Sequence, residues 1–420
     1  MPVNRNNIHD TVFLASAAAI AFFLPVYGRV VPLLITLMVL NWITDIRSIR
    51  NFKMLFREKT RLQILCFGAL YLLYFIGMTY SVNQEYGWFD MEIKLSLIVF
   101  PLVFSTSVQP LFPENRIRLI FQSFVAGCIT GAVILLVHAA IGALGYRIKG
   151  YHIPGSFYYM KLAWYFHASY LSMYYNVAIS YLIWILLTHQ AGNRCVKILS
   201  WGALLFLTAM VFLLASKAGQ SGLVLTILFF AGFGALRMRR PALSVSLVIM
   251  GAAAFLLASV LAPGSFSRFS GTRKVLNQNE ETGKRLKPES NADRLAVWKA
   301  GTKIVKQNLL FGVGTGDVKD KLMEGYRNDH LIPALKHRFN AHNQFLQTFI
   351  ALGLPGFLLL AGMIIIPAFM AYRRKADFYL LFLILIGINF LFESMLEIQA
   401  GVVFYAFINL VLFSGTAEKK

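Results

Sequence analysis

The sequence predicts an all-α polytopic membrane protein, and three observations carry that expectation. Of 420 residues, 57% are apolar and only 14% are charged, little more than half the charge of an ordinary soluble chain. Apolar runs long enough to cross ~30 Å of hydrocarbon recur along the chain. Lys and Arg gather on alternate connections between those runs, the asymmetry that orients membrane helices. The runs place about twelve spans, at 11–27, 29–44, 62–80, 91–106, 119–145, 168–188, 197–215, 220–236, 243–262, 343–370, 378–395 and 398–415.

The formal charge of +21 is then a topology signal rather than a nucleic-acid signal. With the N-terminus in the cytoplasm, cations fall on cytoplasmic segments at Arg5, from Arg47 to Arg61, at Arg116 and Arg118, and at Arg194 and Lys197. The series continues through Arg237 to Arg240, Arg373 to Lys375, and Lys419 with Lys420. The external segment at 80–92 has none. An even number of spans returns both termini to the cytoplasm. The first apolar run follows a single Arg and lacks a cleavage site, so it reads as a retained helix. Cys66, Cys128 and Cys195 imply no disulfide or CxxC metal site.

The chain divides into helices one to nine at 1–262, a large external segment at 263–342, and helices ten to twelve at 343–420. The external segment carries 15 Lys/Arg against 8 Asp/Glu; long loops are exempt from the orientation rule. Its first part, 264–291, is polar and turn-rich and reads as a connector. Near 292–309, Leu295, Trp298, Thr302, Val305 and Leu309 recur at helical spacing with Lys299, Lys303 and Lys306 off that stripe. This is an amphipathic helix lying on the membrane surface or against the bundle. Ser290 closes a capping box with Asp293. The glycines of FGVGTGD, 311–317, read as a tight turn, since no GK[ST] follows and no strand precedes.

Polar groups at or inside a bilayer are costly to keep, so they mark candidate chemistry. Four clusters stand out: SKAGQSG at 216–222 with Lys217; Arg294 on the amphipathic helix; KHRFNAHN at 336–343 with Arg338, His342 and Asn343; and ESMLEIQAG at 393–401. A helix starting near Asn343 presents its N-terminal N–H groups outward. Together with Lys217 and Arg294 it forms an anion site suited to a diphosphate. A lipid diphosphate leaving a sugar carbon gathers negative charge that fixed cations stabilise without a metal.

The attacking hydroxyl needs a base, and the neutral imidazole of His342 suits that task. The bland alternative makes His342 a helix cap or an interfacial residue. His9, His138, His152, His167, His189, His330 and His337 lack a comparable setting. Glu393 and Glu397, four apart, read as one helix face that either holds Lys217 or Arg294 or marks the membrane surface. Asp90 and Glu92 offer a weaker divalent-cation alternative.

These residues carry a resemblance to a known family. LLASKAGQSGLVL, NADRLAVWKAGTKIVKQNLLFGVGTGD, FNAHNQFLQTFIALGLPGFLLL and FESMLEIQAGVVFY, in that order, resemble the O-antigen ligase and polymerase superfamily of bacterial envelope proteins, from about Leu213 onward. The resemblance implies a multi-pass inner-membrane glycosyltransferase with a GT-C-like fold, needing no metal, cofactor or nucleotide sugar. It implies transfer of a glycan from undecaprenyl diphosphate on the periplasmic side, in a ligase to lipid A-core, with inversion at the transferred carbon. The family's motif histidine maps onto His342 and its loop arginine onto Arg294. Lys217 stands where the family usually has Arg, which keeps the charge but loses the bidentate fork.

A ligase is the leading expectation. An O-antigen polymerase or a protein O-oligosaccharyltransferase shares the motifs, and a lipid-linked oligosaccharide flippase is the alternative of another class. A flippase would favour paired halves and discontinuous midplane helices; the polar signals here gather on one side.

Overall fold

The computed structural model describes residues 5–51, 58–107, 113–148, 157–188, 190, 192–239, 241–261 and 291–416. The connector at 264–290, Ser290, His152 and His189 lie outside the described residues, as do Lys53, Arg57, Arg240, Lys419 and Lys420. Every regular element among the described residues is helical. Among the described residues, six helices are long and apolar enough to cross a membrane: Asn7–Val26, Glu114–Gly145, Ala168–Leu187, Arg194–Leu213, Lys217–Leu236 and Gln344–Arg373. Shorter apolar helices cover Gly28–Thr44, Leu65–Met78, Ser244–Ala253, Asp377–Phe392 and Gln399–Gly415.

The expected span at 91–106 is a different object. Helices break at Leu95, giving Gln84–Lys94 and Ser96–Thr106, and the second, at 1.5 Å per residue, is only about 16 Å long. Hydropathy misses this break because Leu95 is apolar and the window average runs across polar Lys94 and Ser96 into the apolar run that follows.

The chain forms two compact units, Met1–Asn41 with Glu114–Ser267, and Trp42–Pro113 with Arg268–Lys420. In the first, α1 (Arg5–Val26) packs along α7 (Glu114–Ile148), and α9 (Ala168–Leu187) packs with α7, α10 (Arg194–Leu213) and α11 (Lys217–Leu236). The α1–α7 approach depends on glycine: a Cβ on Gly127 would stand 2.2 Å from the Phe22 carbonyl oxygen. Between helices in lipid, such small residues replace the hydrophobic drive that water would supply.

The second unit holds α4 (Glu58–Met78), α5 (Gln84–Lys94) and α6 (Ser96–Thr106). It also contains α13 (Asn291–Gln307), α14 (Val318–Asn328), α15 (Ile332–His337), α16 (Gln344–Arg373), α17 (Asp377–Phe392) and α18 (Gln399–Thr416). Its interior is aromatic: Tyr405 of α18 stacks on Phe67 and meets Phe390, while Phe407 packs on Phe100 and Phe104.

The amphipathic helix is present as α13, and its buried face follows the expected stripe only in part, at Val305 and half-buried Trp298. Leu295, Thr302 and Leu309 are exposed, whereas Val297, Ala300, Gly301, Ile304 and Val305 are buried. The helix packs against α14 and α16, and Gly301 lies so close to Leu346 that a Cβ would meet its Cδ2 at 3.0 Å. In a membrane protein an apolar side chain is at home against lipid or protein, so hydrophobicity alone does not choose the packed face.

The glycine turn at 311–317 has a structural task. Helix α16 is kinked at Gly353 (φ 64°, ψ −157°), just before Pro355. Pro355 has no N–H for the Ala351 carbonyl, and the Leu354 N–H turns away to Leu309 O at 2.9 Å. The stranded carbonyls of Ile350 and Ala351 accept instead from Val313 N at 2.8 Å and Gly314 N at 3.0 Å. Buried backbone groups left unpaired are costly, so the turn repairs the broken helix. The Val313 and Gly314 amides are spent on these carbonyls, and the Gly316 amide on Ser81 Oγ at 3.0 Å. The turn is also anchored to the α4–α5 connection: Asp317 accepts from the backbone N–H groups of Val82 and Asn83, and Thr315 donates to Tyr74 O at 2.6 Å.

Gly353→Ala would force alanine into a conformation reserved for glycine and bring its Cβ 2.3 Å from the Leu310 oxygen. The expected loss is about 1–3 kcal/mol, read as a lower melting temperature of the detergent-purified protein; an unchanged melting temperature would show that the junction relaxes.

Candidate functional site

Three elements of the second unit converge on one carboxylate. Glu393 follows α17 as its C-terminal cap, in extended conformation, with its N–H bonded to Asn389 O at 2.8 Å. Its side chain is only 7% exposed. Arg294, from the first turn of α13, donates through Nη2 to Glu393 Oε1 at 2.8 Å and through Nη1 to Phe392 O at 2.7 Å. His342 Nδ1 stands 3.3 Å from Glu393 Oε2.

His342 is held there under backbone strain. Its φ of 46° lies in the left-handed region, uncommon for a residue with a Cβ and concentrated at functional sites. Its N–H donates to Asn340 Oδ1 at 3.0 Å, and Phe339 meets the imidazole edge to face with centroids 5.2 Å apart. Before it, Trp298 Nε1 donates to Ala341 O at 3.0 Å, and Ala341 N–H donates to Gln347 Oε1 at 3.0 Å. Both neighbours of the histidine are therefore pinned, and the ring has little freedom to leave the carboxylate.

The cap of α16 is Asn343, whose side chain accepts from Leu346 N at 3.0 Å; the Asn343 N–H donates to Ser394 Oγ at 3.3 Å. The capping task that offered a bland explanation for His342 thus belongs to its neighbour. The same bonds occupy N–H groups that the sequence assigned to anion binding.

Several expected groupings change. Glu393 and Glu397 do not share a helix face, because α17 ends at Phe392 and a 3-10 turn, Met395–Glu397, intervenes. Glu393 does hold Arg294, while Glu397 faces Lys94 Nζ at 3.2 Å. Asp90 and Glu92 point apart: Asp90 is buried against Lys94 and Glu92 is exposed. Arg338 is exposed and ends α15 in the left-handed conformation (φ 51°). It has no bond to the Arg294–Glu393–His342 group among the described residues.

Lys217 belongs to the first unit, where it is the first residue of α11 and half-buried. Ser216 caps that helix by accepting from Gly219 N at 3.2 Å. One turn on, buried Gln220 leaves both amide atoms without a partner among the described residues. An unpaired buried amide costs about 1–3 kcal/mol, so this helix end is more polar than packing requires.

The other described histidines have ordinary work. His138 stacks on Trp164, His9 meets Asn41 at 2.9 Å and His167 caps α9. The side chain that sequence reading passed over is Lys94, fully buried between Asp90 and Glu397. A lone cation opening an apolar run was the available signal.

Chemically, the group is a histidine–carboxylate pair with a guanidinium on the far carboxylate oxygen. A carboxylate at Nδ1 favours the tautomer that donates from Nδ1, leaving the Nε2 lone pair to take a proton. Arg294 neutralises the buried carboxylate and keeps further N–H donors for another anion.

Residues 202–361 match the family model described as O-antigen ligase, placing this chain's similarity in the O-antigen ligase/polymerase superfamily. The matched segment contains Lys217, Arg294 and His342, and ends before Glu393. No curated protein matches the chain.

Arg294→Met would strand the Glu393 carboxylate and lower stability by about 1.5–3 kcal/mol. Adding Glu393→Gln should restore about 1 kcal/mol of that loss, measured as melting temperatures around the mutant cycle. Strict additivity would mean that the two side chains do not depend on each other.

Proposed function

We propose that the protein is an O-antigen ligase, a metal-independent inverting glycosyltransferase of GT-C-like architecture in the bacterial inner membrane. It moves a glycan from undecaprenyl diphosphate to a hydroxyl of lipid A-core on the periplasmic side. The observation that carries this reading is the Glu393 carboxylate shared between Arg294 and a strained His342, within a chain whose residues 202–361 match the O-antigen ligase model.

His342 serves as general base. With its Nδ1–H directed at Glu393, Nε2 accepts the proton of the acceptor hydroxyl as oxygen attacks the anomeric carbon. The bond from that carbon to the diphosphate oxygen breaks in the same displacement, so configuration inverts and the diphosphate departs with its electron pair. The imidazolium that forms already has its carboxylate partner. Arg294 spends two N–H groups on Glu393 and Phe392 and directs others to the leaving diphosphate, where one donor is worth about 10²–10³ in rate. Lys217, at the start of α11 in the first unit, is proposed as a diphosphate-binding residue on its charge and its match to the motif alone. Asn343 supports the site by fixing the start of α16.

His342→Ala should leave the protein in the membrane with its ordinary melting temperature and lower transfer by at least about 10²-fold, with lipid-linked glycan accumulating in cells. Purified protein given polyprenyl-diphosphate-linked glycan and lipid A-core should transfer equally well with chelator present. Undiminished mature lipopolysaccharide in the His342→Ala strain would overturn the assignment. Elongation of the lipid-linked glycan in place of transfer to lipid A-core would replace the ligase by a polymerase.

A further inference from the structure

The most deeply buried charges among the described residues of the second unit lie away from the histidine. Lys94, on α5, is 0% exposed, bonded to Asp90 one turn before it and 3.2 Å from Glu397. Its Nζ sits 4.6 Å from the centre of the Tyr74 ring. A cation with no access to solvent is costly unless well paired, and the site reading gives this one no task.

The connection lies in the chain between the two glutamates. Glu393 to Glu397 is a five-residue strap from the end of α17 to the start of α18, and outside groups hold it at four points. Arg294 takes Glu393, the Asn343 N–H meets Ser394 Oγ, Gln344 Oε1 accepts the Leu396 N–H at 2.6 Å, and Lys94 takes Glu397. Gln344 is itself fixed, donating to Thr348 Oγ1 at 3.0 Å, which meets the Tyr74 hydroxyl at 3.2 Å. Two of the four points are neutral hydrogen bonds, and a third is the Arg294–Glu393 ion pair beside the histidine. The fourth is a second ion pair at the far end, whose cation, Lys94, is fully buried.

We infer that Lys94, aligned by Asp90, is a positioning residue: by anchoring Glu397 it fixes the strap that presents the Glu393 carboxylate to His342. It touches neither reacting atom nor substrate in this scheme. Slack at Glu397 reaches Glu393 through four peptide units, and a displacement of about 1 Å at a catalytic group can cost 10²-fold in rate. The inference rests on the base role assigned to His342.

The test uses the full-length purified protein, with polyprenyl-diphosphate-linked glycan as donor and lipid A-core as acceptor. Glu397→Gln keeps shape and removes the charge that Lys94 holds; Lys94→Met removes the cation. Each should lower kcat by about 10–100-fold, with KM for both substrates within about twofold, because the reacting geometry is changed and the binding groups are not. In a Glu393→Gln background, where there is no carboxylate left to aim, either change should cost less than about threefold. A purely structural role would instead lower the melting temperature and act equally in both backgrounds. Equal factors in the two backgrounds, or an unaltered kcat in Glu397→Gln, would overturn the inference. Should Lys94→Met fail to fold, Glu397→Gln decides. Transfer that does not depend on His342 would sink the base assignment itself, a result distinct from a neutral Glu397→Gln in an enzyme that does require His342.

Discussion

The constraint on which the second unit depends is the repair of a broken membrane helix. A helix interrupted at Gly353 and Pro355 strands two carbonyls, and the 309–314 turn answers them with two backbone amides while giving Leu309 O to the Leu354 N–H. Because these backbone groups answer one another bond for bond and an unpaired one is costly, the turn is held against the break. Its position sets the end of α13 on one side and the start of α14 on the other. With α13 seated against Leu346 and Ile350 of α16, Arg294 at one end of that helix comes to Glu393. Gly312 is needed in this turn because only a residue without a side chain permits the contact: a Cβ there would stand 2.4 Å from the Ala351 oxygen.

From that seat outward the architecture becomes local. Trp298 reaches Ala341, Gln347 takes the Ala341 amide, and Asn343 caps α16 while its own N–H meets the strap after α17. The backbone at His342 has no slack between these bonds, which is why an unfavourable φ persists there. The cost is absorbed by neighbours that each perform a second task.

Much of this was legible in the sequence, and the failures share a cause. Hydropathy locates apolar helices because crossing a bilayer demands length and composition together, and it located His342, Arg294 and Glu393 because polar groups in such settings are conspicuous. It failed on the packed face of α13, where Leu295 and Leu309 are as apolar as the buried Val297 and Ile304, and at Leu95, where averaging along the chain hides a one-residue break. It failed for Glu393 and Glu397 because four-residue spacing means one face only if the helix continues, and α17 stops at Phe392. The Gly353–Leu354–Pro355 break was spelled out in the sequence, yet its meaning depends on a partner loop forty residues earlier, which no local pattern reveals. Lys94 was missed because its partners Asp90 and Glu397 come one from its own helix and one from about 300 residues away.

Charge accounting shows why a base at this position needs both of its companions. A buried carboxylate alone beside His342 would be expensive to ionise, and once protonated it could not favour the imidazolium. Arg294 is bonded to the Glu393 carboxylate, and with that pair ionised the histidine–carboxylate–guanidinium group of the proposed reaction passes from neutral to +1 as Nε2 takes the proton. That positive charge appears during the same displacement in which a diphosphate accumulates negative charge. A site with Glu393 but no arginine would pass from −1 to neutral and resist the anion's approach; one with Arg294 but no carboxylate would bind the anion yet oppose protonation of the imidazole through like-charge repulsion. The pairing reconciles the two demands because the carboxylate lies between the cations, bonded to Arg294 through one oxygen and facing His342 with the other.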